Sequence, residues 1–121
     1  MSEAMIVDVT LNNIQEMVMQ NSERLPVLVS FWSPLDEDSR TANSILEKLA
    51  EEFAGKIILA KINAAQQTEI AEKFSLPGLP FFKLIRNRDI ITEQQGLFTE
   101  DEYRQLINSQ IEKDPSEELR K

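Results

Sequence analysis

The chain of 121 residues contains no cysteine and no histidine. Without cysteine there can be no disulfide, no thiolate nucleophile, no zinc ribbon and no iron–sulfur cluster. Without histidine the commonest general base and the commonest metal ligand are missing too. Basic residues are scarce relative to acids, 13 against 21, which gives a net charge of −8. An acidic balance argues against broad binding to nucleic acid or to an anionic membrane, both of which favour basic surfaces. Glycine and proline are few, 3 and 5, and 41% of the residues are hydrophobic, so the composition is that of a folded globule. The length fits one domain burying roughly two-thirds of its unfolded surface. Long apolar runs are absent: Val27–Trp32 and Ile57–Ile62 are far too short to span a bilayer. The opening Met1-Ser2-Glu3-Ala4-Met5 has neither the basic flank nor the apolar run of a signal peptide, so a cytoplasmic location is expected.

What is present reads as alternating strands and helices. Ile6–Val9 is a short β-branched run, and Thr10 stands as N-cap before Leu11, Ile14, Met17 and Val18, which repeat at helical spacing up to Asn21-Ser22. Val27–Trp32 is continuously apolar, the pattern of a strand covered on both faces. After the break at Ser33–Asp38, a stripe of Ala42, Ile45, Leu46, Leu49, Ala50 and Phe53 predicts a long helix, with Gly55 beyond its end. Ile57–Ile62 predicts another buried strand, interrupted by Lys61, and Ile70, Ala71 and Phe74 a shorter helix. Phe81–Ile85 and Ile90–Gln94 read as a hairpin across Arg86–Asp89, and Thr99-Glu100-Asp101-Glu102 as a capping box opening a last helix through Ile111. The order β-α-β-α-β-α-β-β-α predicts an α/β domain over residues 1–111: a central mixed sheet, parallel in its core, with helices on both faces. Residues 112–121 are expected to form a linker or the start of a following helical region, because Asp114-Pro115 and the acids after it have the chemistry of a helix start.

Three pieces in order, Val27-Leu28-Val29-Ser30-Phe31-Trp32-Ser33, Ala60-Lys61-Ile62-Asn63 and Gly78-Leu79-Pro80, resemble the thioredoxin family, as does the element order over residues 5 to 111. The resemblance implies a thioredoxin fold with Val27–Trp32 in the middle of the sheet and a cis Leu79–Pro80 bond. Where that family carries its Cys-x-x-Cys motif, this chain has Asp36-Glu37-Asp38-Ser39, and Ser30 stands in place of the family's buried aspartate. Nucleophile, resolving thiol and proton acceptor are all replaced, so no dithiol exchange is possible. Ile6–Val9, Phe31–Ser33, Ser44–Glu47 and Leu59–Lys61 are further similar to the N-terminal domain of bacterial thioredoxin-like co-chaperones that continue into tetratricopeptide repeats. The hairpin turn departs from the family's Asn-Gly, reading Asn87-Arg88, so it must differ or accept strain at a non-glycine residue.

The resemblance implies a surface for extended peptides where the turn after Trp32, the cis-proline loop and the loop before the last helix meet. Trp32, Pro34, Leu35, Gly78, Leu79, Pro80 and Gly96 are its candidate residues, with Leu35 and Leu79 as the apolar elements. The expected partners are protein clients or a chaperone, held non-covalently, with no catalytic residue, cofactor or metal. Asp36, Glu37 and Asp38 have a bland explanation as acids at a helix N-terminus. The alternative is an acid–base or metal-dependent hydrolase built on those three carboxylates. A weak homodimer through the apolar loops is a third reading. Lys61 is expected either to pair with a carboxylate from the acidic turn or to reach solvent.

Overall fold

The computed structural model describes residues 4–111; the expected linker and helix start at Asp114-Pro115 lie outside them. Five strands, β1 (Met5–Asp8), β2 (Val27–Trp32), β3 (Ile58–Asn63), β4 (Phe81–Arg86) and β5 (Asp89–Gln95), form one sheet in the order β1-β3-β2-β4-β5. β1 and β2 both run parallel to β3, while β4 is antiparallel to β2 and to β5. The mixed sheet with β2 at its centre is the expected arrangement. Alternation along β2 sends Val27, Val29 and Phe31 to one face and Leu28 and Ser30 to the other.

Each face has its own core. On the first, Val27, Val29, Phe31, Ile58 and Ile62 meet Val18 and Ile70. On the second, Leu28, Leu59, Phe82 and Leu84 meet α1 (Glu37–Glu52) through Leu46 and Leu49, and α3 (Glu100–Ile111) through Tyr103 and Ile107. The apolar stripe read from the sequence is therefore the buried face of α1, although Ile45 and Phe53 are only partly covered. The capping box at α3 forms as expected: Thr99 N–H donates to Glu102 Oε1 at 2.9 Å, and Glu102 N–H to Thr99 Oγ1 at 3.1 Å.

The segment after β1 departs from expectation. Leu11–Val18 does not wind as an α-helix capped by Thr10. Gln15–Gln20 is a π-helical segment that runs into a 3₁₀ turn at Asn21–Glu23. Thr10 donates its N–H to Asn13 Oδ1 at 2.7 Å instead of capping. Asparagine and serine side chains compete locally for backbone partners: Asn21 Nδ2 donates to the Met17 carbonyl and Ser22 Oγ to that of Met19. Apolar periodicity places Val18 on the core but is blind to that competition. α2 (Thr68–Phe74) covers the rest of this face.

Candidate functional site

Register brings the candidate loops to one end of the sheet. Phe31 of β2 faces Phe81 of β4, which in turn faces Gln95 of β5. The turn that follows Trp32, the loop that precedes Phe81 and the loop that follows Gln95 therefore emerge side by side. The Leu79–Pro80 peptide bond is cis, as the resemblance implied. Gly96 N–H donates to the Pro80 carbonyl at 2.8 Å, tying two of the loops together. Gly96 sits at φ +103°, a conformation open to glycine. A Cβ on Gly78 would lie 2.7 Å from Gln95 Nε2, so this loop and the end of β5 are in close approach.

Exposure separates the candidates. Leu35 is 87% exposed at the head of its turn, beside an exposed Pro34. Leu79 is partly buried and leans on the first core, Pro80 is buried, and Trp32 is half-buried. Neither the N–H nor the carbonyl of Leu79 has a hydrogen-bond partner among the described residues. Trp32 Nε1 is likewise buried without one.

The acidic turn has a structural job. Asp36 is the N-cap of α1, accepting from Ser39 N–H at 2.9 Å and from Ser39 Oγ at 2.7 Å. Glu37 and Asp38 occupy the first helical turn, exposed and next to the positive end of the helix dipole. Among the described residues, no group of three or more His, Cys, Asp or Glu is placed to hold a metal ion.

Beneath this turn the buried-acid position has been refilled. Ser30 is buried and donates through Oγ to Asn43 Oδ1 of α1 at 2.8 Å, so a neutral hydrogen bond stands where a charge would need relief. Asn43 escaped the sequence reading because it lies within the polar intervals of the helical pattern; its only signal is adjacency to the Ala42 stripe. Lys61 differs from expectation in its partner. Its Nζ meets Glu47 Oε2 of α1 at 2.7 Å and lies 5.5 Å from the Trp32 ring. The acidic turn takes no part, because Asp36 is held by the cap.

A second lysine was missed altogether. Lys83 of β4 is 5% exposed, with Nζ 2.6 Å from Glu93 Oε1 and 4.7 Å from the centre of the Phe74 ring. Its opposite number across the hairpin is Glu93, and a two-residue periodicity check of the two strands would have paired them.

The comparisons agree with this geometry. The chain matches the thioredoxin family model over residues 5–109. It is 30% identical to a thioredoxin of Haemophilus influenzae over 96 residues, 79% of this chain and 89% of the relative. It is 26% identical to thioredoxin C-2 of Corynebacterium nephridii over 108 residues, 89% and 98% of the two chains. A solved mutant thioredoxin from Halobacterium salinarum superimposes with a TM-score of 0.80 at 23% identity, over 95% of this chain and 98% of that one. The chain belongs to the thioredoxin family, and it is a redox-inactive member, because the fold is complete and both sulfur positions are empty of cysteine.

Proposed function

We propose that this domain binds protein segments non-covalently at the loop end of the sheet and serves a larger co-chaperone or adaptor. The observation that supports it most is Leu35, a large aliphatic side chain left 87% exposed in the turn after Trp32, at the same end of the sheet as the cis Leu79–Pro80 loop. An exposed leucine in a single place means little, but the cis-proline loop at the same end of the sheet carries a backbone N–H and carbonyl at Leu79 that have no partner among the described residues. An extended chain could satisfy both groups while laying an apolar side chain on Leu35. The hydrolase alternative keeps only Glu37 and Asp38, both exposed, since Asp36 is committed to its cap.

Calorimetric titration with unfolded client proteins and extended apolar peptides tests the reading. Saturable binding is expected, weakened at least about tenfold in Leu35→Asp, since that change buries a charge at the contact. Binding that ignores Leu35→Asp, or none at all, overturns it. Self-association that depends on Leu35 in sedimentation would favour the homodimer. The co-chaperone assignment further predicts helical repeats of about 34 residues encoded beyond position 121.

A further inference from the structure

Where α2 gives way to the cis-proline loop, the surface is hollowed. Ala64, Ala71, Leu76 and Leu79 line a pocket of about 370 Å³, with Glu72 and Ser75 at its rim. The first four are half-buried and the last two exposed, so the hollow is open to solvent. Backbone geometry builds it. Ser75 takes a left-handed φ of +49° and donates its N–H to the Glu72 carbonyl at 3.1 Å, which ends α2 and brings Leu76 and Leu79 back beside Ala71. Ala64 N–H donates to the Trp32 carbonyl at 2.7 Å, so this wall is fastened to the residue from which the Leu35 turn departs.

The pocket is apolar within and acidic at its edge. Among the described residues its lining holds one charged side chain, Glu72, and no lysine or arginine. Glu69, one turn earlier on α2, is exposed as well, and neither carboxylate has an ion-pair partner among the described residues. Lys73 lines a different cavity, with Ile70 and Phe74. The Leu35 turn itself leads into exposed Glu37 and Asp38, and Arg40 beyond them is drawn to the Pro34 carbonyl at 2.7 Å.

From these observations we infer that the pocket is a subsite of the peptide surface proposed above and selects a lysine or arginine side chain, so that the segments bound are cationic as well as apolar. The inference rests on that reading of the loop surface. Leu79 supplies a wall of the pocket together with the backbone N–H and carbonyl that lack partners among the described residues. A chain that pairs with those two groups as a strand sends alternate side chains to opposite sides; the backbone pairing gives affinity and the pocket gives preference. The methylene stem of lysine or arginine covers Ala64, Ala71, Leu76 and Leu79, and its head meets Glu72. An acidic side chain there would meet Glu72 with no counter-charge in the lining. The net charge of −8 draws cationic segments in and holds acidic ones off.

The test is fluorescence anisotropy of labelled extended peptides titrated with the 121-residue chain. Three peptides share one apolar sequence and carry lysine, norleucine or glutamate at a single central position. Lysine should bind about two- to fivefold more tightly than norleucine, the worth of one exposed ion pair, and glutamate most weakly. The lysine advantage should shrink as salt is raised. Glu72→Gln should erase it, whereas Glu16→Gln, which removes the same charge from an exposed position on the π-helical segment, should keep it. Methyl NMR with the lysine peptide should shift Ala64, Ala71 and Leu76. Equal binding of the three peptides, an advantage unchanged in Glu72→Gln or lost equally in Glu16→Gln, or shifts that spare Ala71 and Leu76 would each overturn the assignment. If the peptides bind and Leu35→Asp weakens all three, yet lysine has no advantage, the subsite is wrong and the loop surface stands. If none of the three binds, both readings fall.

Discussion

Buried polar side chains on the two faces of the sheet, Ser30 with Asn43 on one and Lys83 on the other, show what a single residue costs when its partner is removed. Ser30 and Asn43 are both buried and hydrogen-bond each other, so removing one strands the other. Ser30→Ala should cost about 1–2 kcal/mol, the usual penalty for an orphaned buried polar group, and urea denaturation measures it. A cost near zero would mean that Asn43 finds another partner. Lys83 presents a sharper contrast, because its amine is buried while its partner Glu93 is half-exposed. Glu93→Gln leaves the charge behind and should destabilise by roughly 1–3 kcal/mol. Lys83→Met removes the buried charge, lets Glu93 rehydrate and should be neutral or stabilising. The same comparison of chemical denaturation midpoints decides both, and equal losses in the two variants would show that the ion pair, not the burial of one charge, sets the cost. Neither arrangement is visible in hydropathy, since Ser30 and Lys83 sit inside otherwise apolar runs while their partners Asn43 and Glu93 have polar residues beside them.

Among the elements, β2, α1 and the capped α3 were legible because packing, pattern and capping chemistry all point the same way in them. Val27–Trp32 could only be a buried strand, and the Ala42–Phe53 stripe could only be one face of a helix. The segment from Leu11 to Glu23 was legible in part of its contacts but not in its winding: Ile14, Met17 and Val18 reach the core as read, while Leu11 is exposed and Met19 joins the core in its place. The candidate loops were legible only through family likeness, because their convergence depends on strand register, which no local pattern states. The hairpin turn shows what such non-local support does. Asn87 and Arg88 adopt φ of +54° and +69°, positions that a two-residue turn of this type usually gives to asparagine and glycine. The 3₁₀ turn holds them there: Asn87 N–H donates to the Ser22 carbonyl at 2.7 Å and Arg88 N–H to Ser22 Oγ at 2.9 Å. Arg86 also reaches the Ser22 carbonyl at 2.7 Å. Ser22→Ala therefore removes a buried anchor from a turn that lacks glycine, and should lose about 1–2 kcal/mol. Amide hydrogen exchange should quicken first at Arg88 and along β5. Protection unchanged in that hairpin would show that the turn holds its conformation unaided.

Across the whole molecule, an acidic chain must keep its like charges from loosening the packing, and the α1–α3 face shows one means. Arg104 of α3 bonds both oxygens of Glu52 on α1, at 2.8 and 2.9 Å, and reaches Glu100 and Asp101 on its own helix. Lys48 of α1 returns the link to Glu100 at 3.0 Å. The hydrogen bond from Arg104 holds the Glu52 carboxyl below its ordinary value of 4.5, and the bonds from Arg104 and then Lys48 do the same for Glu100. A carboxylate with a depressed folded-state pKa contributes stability that is complete above the unfolded value and is lost as pH falls through the folded one. All these groups are at the surface, so the contribution is small and screened by salt. Arg104→Gln should lower the melting temperature at neutral pH, and the gap from the parent should close as pH is taken below 4.5. Removing a cation also makes an acidic chain more acidic, which destabilises by itself. Lys56→Gln, an exposed change of the same charge, isolates that general repulsion. If thermal melts give the two variants the same pH profile, bulk charge governs the acid limb of stability and the bridge between α1 and α3 contributes nothing of its own.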